Sequence, residues 1–365
     1  MQIHPNQLLY PLLDQIDSQE DYFSNAKAKY TTYKKAHLLQ QLERPSIFVY
    51  QIEKEDKQYN GIVATISLQD HTAGKIKGHE ATLEAKELQQ LQLLEERQAQ
   101  VKPILLTYPK VSSIETWIRA IQQAHTLFLK IEIKKTTHRL WKVDSPDAIQ
   151  KLQWLFKAQV PTTYIADGHH RTAVMARYAA QQPENTYLYC TLFSSDQIEI
   201  LPFNRVVDGI EERSLKAFLK EMEELCDIRK IDTPFVHPPK HCLQMYVGKQ
   251  WYALIWKRTV LATCTNPVEQ LDPYLLDQRI LKKVMKIKDI RSSKQVQYIG
   301  GAEDSSIKKI TKLVNAQKDR IGFYLPAVQM QDFLEVVNLG SLLPPKSTWF
   351  EPRMLNGLLV YELKV

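Results

Sequence analysis

Apolar and polar positions alternate with two different periods along the chain, and the change of period marks its elements. The stretches "SIFVYQI" (46–52) and "GIVATISL" (61–68) are dense in β-branched and aromatic residues and predict strands that open a small sheet. The forty residues before them, with Ala26, Ala28, Tyr30 and Tyr33 among lysines, read as helical. Leu88, Leu91 and Leu94 recur among strong helix formers and predict a helix over 83–100, followed by Pro103 and a strand at "ILLTY". A helix is expected over 113–127 and paired strands at "LFLKIEIKK" and "RLWKVD". Ser145-Pro146-Asp147 starts another helix, serine as cap and proline in its first turn, running to about Gln159.

Next comes "TTYIA", a strand pattern, then the turn "DGHHR", an alanine-rich helix, and the strands "TYLYCTLF" and "QIEILPF". From about 209 to 320 the pattern describes a second lobe. It has an acidic helix near 211–225, a Pro/His-rich loop "TPFVHPPKH", two strands and helices beginning near Asp272-Pro273. The end reads strand, helix, strand ("DRIGFYLP", "MQDFLEVVNLG", "LNGLLVYEL") and is expected to return to the first sheet. This mixed order predicts an α+β fold with a mixed sheet. The expected organisation is a core over 1–208, an inserted α+β lobe over 209–320 and a returning segment over 321–365.

Composition changes this picture little. With 44% hydrophobic and 24% charged residues in 365, the chain can bury a sizeable core and is not disordered. Its 48 Lys+Arg against 41 Asp+Glu give a net charge of +7, scattered rather than striped, which argues against a duplex-binding face. Cys190, Cys226, Cys242 and Cys264 lack CxxC spacing and read as reduced thiols. No window approaches the roughly 18 apolar residues of a membrane span, and no signal segment is evident, so a soluble, cytoplasmic protein is expected.

The chemistry concentrates at Asp167-Gly168-His169-His170-Arg171, where a strand meets a helix. A helix start presents unpaired N–H groups and the positive end of the dipole, which suits an anion. Gly168 permits a turn or a close approach, and Arg171 can make a forked contact to phosphate, with the histidines as further donors. Asp167 suits a bridging divalent cation or a substrate hydroxyl or amine. The same five residues read equally as a capped helix start whose histidines fill polar edges.

Other candidates are weaker. His79-Glu80-Ala81-Thr82 begins like a zincin helix, but Leu83 replaces the second histidine; Glu80 reads as a general base or as a solvated glutamate before a helix. "PPKSTWFEP" lacks the glycines of a Walker loop, although Lys346, Ser347 and Thr348 can line a site. Gly300-Gly301 reads as turn geometry, and His237, His241 and Cys242 as a surface loop rather than a metal site. Neither a G-x-S-x-G elbow nor a G-x-G-x-x-G fingerprint is present.

In order and spacing, "IKGHEAT", "YIADGHHRTA", "LPFNRVV" and "PPKSTWFEP...GLLVYEL" resemble the bacterial and archaeal family known as domain of unknown function 1015. Its Asp-Gly-His-His-Arg segment looks like that of the ParB/sulfiredoxin-like superfamily, which includes nucleotide-dependent free-serine kinases. The resemblance implies phosphoryl transfer from ATP or ADP to a small hydroxylated acceptor. In that reading Glu80 takes the proton and Asp167 helps hold Mg²⁺ or the acceptor. Gly168, His169, His170 and Arg171 bind phosphate, and His79, Thr82, Arg205, Lys346, Ser347 and Thr348 are candidates for the substrate pocket. A nucleotide-sensing module without transfer is the alternative, and ParB-like nucleic-acid binding ranks last for want of a basic stripe.

Overall fold

The computed structural model describes residues 1–182, 187–209, 215–301 and 304–363. It is a mixed α+β protein of two compact units, the first comprising Met1–Glu199 with Pro352–Val365 and the second Ile200–Glu351.

The first unit is built on a nine-stranded mixed sheet. In spatial order its strands are Ile76–Lys77, Thr163–Asp167, Ile104–Tyr108, Tyr187–Ser194, Lys57–Ser67, Ile47–Lys54, Thr136–Val143 and Leu129–Ile133, with Ile3–His4 added on Lys57–Ser67. Two pairings are parallel, Thr163–Asp167 with Ile76–Lys77 and Tyr187–Ser194 with Ile104–Tyr108; the other pairings are antiparallel. Residues 47–50 and 61–67 are buried without alternation, as expected where both faces of a sheet are covered.

The helix expected across the first forty residues is shorter. It runs Gln19–Lys35, with Ser18 Oγ accepting from the Asp21 N–H at 3.2 Å as cap, while Ile3–His4 and Leu9–Pro11 are strands. Pro5 and Pro11 lack the N–H a helix needs, and extended backbone between them bridges Asn6 to Ser46. The helices Glu84–Arg97, Ser112–Ala124 and Pro146–Gln159 lie where the periodicity places them.

The second unit has a seven-stranded sheet in the order Cys226–Ile231, Gln250–Trp256, Cys242–Val247, Arg320–Tyr324, Glu199–Asp208 and Val296–Gly300, with Thr348–Glu351 also on Glu199–Asp208. Leu243, Leu254, Leu276, Ile280, Ile321 and Phe323 are wholly buried in its core. The units therefore divide at other points than the expected 208/209 and 320/321. Glu199–Asp208 pairs with Val296–Gly300 and Arg320–Tyr324, so hydrogen bonding carries these strands, and those after them up to Glu351, into the second unit. The tail does return to the first unit but not to its large sheet: Tyr361–Glu362 pairs with Ala99–Gln100. Of the acidic helix expected near 211–225, Leu215–Met222 is helical, and 210–214 lie outside the described residues. Among the described residues no helix is long and apolar enough to cross a membrane.

Candidate functional site

The buried strand Thr163–Asp167 delivers Asp167 to its end, and Gly168 turns the chain at φ 114° into the helix His169–Gln181. A side chain at this φ is strained, and a Cβ on Gly168 would lie 2.9 Å from Arg171 Nη2. Asp167 does not cap the helix. Its Oδ2 accepts from Lys102 Nζ and from Arg171 Nη2, each at 2.8 Å, and Arg171 Nη1 donates to the carbonyls of Pro103 (2.8 Å) and Lys102 (3.3 Å).

The two histidines join this turn to the His79-Glu80 segment. His169 Nε2 accepts the His79 N–H at 3.1 Å, and the two rings meet edge to face at 4.3 Å. His170 Nε2 accepts the Leu83 N–H at 3.2 Å, and His79 Nδ1 donates to the Ile165 carbonyl at 2.8 Å. Residues 79–83, including Glu80 and Thr82, are thus clasped onto the start of the motif helix; Glu80 and Thr82 remain partly exposed. The expected phosphate-gripping histidines spend their Nε2 atoms on this loop instead.

Arg171, Val174 and Met175 of the motif helix line a pocket of about 70 Å³. Helix Glu84–Arg97 contributes Leu93, Leu94 and Arg97, with Arg97 four residues on from Leu93 and three from Leu94. Lys102 and, from helix Gln19–Lys35, Lys27 complete a wall of four cations. Arg177 pins the two helices by an ion pair to buried Glu87 at 2.8 Å.

The titration behaviour follows from this crowding. Burial pushes the Asp167 carboxyl up, but the Arg171 and Lys102 charges outweigh it and hold the group well below the carboxylate range. Lys27 is lowered by burial and then by the charges of Arg171 and Arg97; Lys102 is lowered by burial and then by Arg171. Arg353 adds to the positive field on Lys102, Asp167 and Arg171. Burial brings His169 down to about 4 and His79 well below its ordinary value, so both rings are neutral near pH 7.

Among the described residues no all-protein Mg²⁺ cage is formed at this turn. Asp167 already faces two cations, and among the described residues no three His, Cys, Asp or Glu side chains are grouped to hold a metal.

Four of the pocket candidates lie in the second unit, not in this cluster. Arg205 is wholly buried there, Ser347 Oγ donates to the Pro344 carbonyl at 2.6 Å, and Lys346 lies 5.3 Å above the Phe203 ring. Thr348 begins the strand Thr348–Glu351. Gly300 serves packing: a Cβ on it would lie 2.1 Å from the Trp349 ring. Conversely, Lys27, Arg97, Lys102 and Arg353 belong to no motif, which is why the sequence does not single them out; the i+4 step from Leu93 to Arg97 is the one local signal.

Fold and site together define a two-unit α+β protein whose first unit sets a cation-lined pocket beside an Asp-Gly-His-His-Arg turn. The chain belongs to the family described as protein of unknown function (DUF1015), whose model matches residues 7–274. Among solved structures it is similar to free serine kinase in complex with AMP, at 13% identity and TM-score 0.38, over 81% of this chain and 92% of that one. It is also similar to SbnI with C-terminal truncation from Staphylococcus aureus, at 11% identity and TM-score 0.43, over 80% and 85%. A third is a conserved hypothetical protein from Pyrococcus furiosus, at 11% identity and TM-score 0.38, over 80% and 92%. No curated protein matches the chain.

Proposed function

We propose that the first unit, with a ParB/sulfiredoxin-like core, binds ATP or ADP through its phosphates and transfers the terminal phosphoryl group to a small hydroxylated acceptor such as free serine. The observation that carries this reading is the pocket where Lys27, Arg97, Lys102 and Arg171 converge, while the acidic charge acting on Lys27, Lys102 and Arg171 is that of Asp167. Burial first, and then the neighbouring arginine charges, lower Lys27 and Lys102, and a polyanion in the pocket relieves the charge part of that cost. Glu80 and the turn are tied together by His169 and His170, which supports a base and a phosphate site working on one substrate.

In the proposed step the acceptor oxygen attacks the terminal phosphorus, and the bond to the nucleotide's bridging oxygen breaks. The hydroxyl proton passes to Glu80, and the negative charge on the leaving phosphate is met by the pocket cations.

A second reading, nucleotide sensing without transfer, is favoured by the commitment of Asp167 to Lys102 and Arg171. Both readings are tested by calorimetric titration with ATP, ADP and AMP, with and without Mg²⁺, followed by a search for phosphorylated product from serine and other hydroxylated acceptors. Arg171→Ala is expected to weaken nucleotide binding about ten- to a hundredfold, the worth of a charge-assisted contact. Arg97→Ala, away from Asp167, gives the same direction without disturbing the turn. Turnover abolished by Glu80→Gln with binding retained supports transfer. Binding without product across the acceptors supports sensing, and no nucleotide binding sinks both.

A further inference from the structure

The second unit contains a cavity of its own, formed around an unusual winding. Leu276–Val284 is a π-helix of nine residues, and just past it the Met285 N–H donates to the Ile280 carbonyl, five residues back, at 2.9 Å. Such windings are rare, are mostly single-turn bulges, and occur often at functional sites. Here the winding presents Asp277, Gln278 and Lys282 to a cavity of about 380 Å³. That is the size of a small-molecule site, for which about 300–1,000 Å³ is typical.

At the floor is Asp277, whose side chain is 8% exposed and whose Oδ1 has no hydrogen-bond partner among the described residues. Arg205 Nε stands 3.6 Å from that oxygen, near enough for charge attraction but too far for a hydrogen bond, and Arg205 Nε and Nη2 are also without one there. The Arg205 guanidinium lies 5.1 Å above the ring of Tyr298, which lines the same cavity. Burial raises the Asp277 carboxyl and the Arg205 charge pulls it back. Asp277 and Arg205 cancel in charge, so the floor offers an acceptor without a net charge.

Around the mouth the balance is different. Lys282, Lys288 and Arg291 are exposed there, against one carboxylate, Asp289, which already accepts from the Ser292 hydroxyl and from the N–H groups of Arg291 and Ser292. Leu343 and Pro344 supply an apolar wall.

We infer that this cavity binds a small hydroxylated phosphate monoester, its hydroxyl donating to the Asp277 carboxylate and its phosphate meeting Lys282, Lys288 and Arg291. A monoester carries about −1.5 to −2 near neutral pH and matches the positive excess at the mouth, which a carboxylate would only half neutralise. An amine would bring a charge to Asp277 that Arg205 has already supplied.

Calorimetric titration of the full chain with glycerol 3-phosphate, inorganic phosphate and glycerol tests the assignment. Glycerol 3-phosphate is expected to bind at least about tenfold more tightly than either fragment, and Lys282→Ala and Arg291→Ala, at exposed positions that leave folding intact, are each expected to weaken it about five- to tenfold. Asp277→Asn, checked for folding by its melting transition, is expected to shrink the preference over inorganic phosphate. Equal affinity for glycerol 3-phosphate and inorganic phosphate, binding of neither, or affinity unmoved by the two mouth variants overturns the assignment. So does affinity abolished by Arg97→Ala in the first unit.

Discussion

Asp167 in the first unit and Asp277 in the second are both acids set beside arginine, but in opposite ways. Asp167 receives Lys102 and Arg171 at 2.8 Å each and is about one-third exposed, whereas Asp277 stands 3.6 Å from Arg205 and both are buried. In the first cluster one carboxylate oxygen, Asp167 Oδ2, takes both cations, and the surplus is positive charge, which faces a pocket. In the second the charges balance and the surplus is hydrogen-bonding capacity. The contrast is what the two proposals rest on: phosphate held by electrostatics in the first unit, and a hydroxyl met by an acid in the second.

The sharpest way to break this comparison is to remove each acid. Asp277→Asn leaves Arg205 buried and uncompensated and is expected to cost about 3–5 kcal/mol, while Asp277→Leu with Arg205→Met is expected to restore much of it. Asp167→Asn is expected to cost less, about 1–2 kcal/mol, because its partners can turn toward water. Denaturant unfolding midpoints decide it; equal losses at the two positions would show that exposure does not separate them.

Acid tests the first cluster next. The unfolded His169 protonates near 6.5, the folded one only at about 4. Between those values the unfolded chain binds more protons, so stability falls as pH falls from about 6.5 to about 4, by on the order of 3 kcal/mol in all. His79, lowered further by burial, acts in the same direction. Thermal melts across that range are expected to show the decline in wild type and a shallower one in His169→Gln.

An effect as small as that of Asp167→Asn belongs to Gly168→Ala. A Cβ at φ 114° costs about 1–2 kcal/mol and meets Arg171 Nη2 at 2.9 Å, so nucleotide binding is expected to weaken along with stability. Stability lost with binding intact would detach Arg171 from the proposed phosphate site.

The local pattern of the chain determined most of its elements. Runs dense in β-branched and aromatic residues became Ile47–Lys54 and Lys57–Ser67, the leucine repeat became Glu84–Arg97, and the crowded pentapeptide marked a strand-to-helix junction. These are effects of neighbours within a turn or a pleat, which a sequence displays directly. Only the tertiary structure decided that the His79 segment meets His169 and His170, since Ile76–Lys77 reaches Thr163–Asp167 through a parallel pairing across more than eighty residues. It alone gathered Lys27, Arg97, Lys102 and Arg171 from separate elements, placed the boundary before Ile200 and wound Leu276–Val284 as a π-helix. Periodicity reports which face an element buries, not which other element covers it. A charge cluster assembled by strand order therefore leaves no trace in the local pattern.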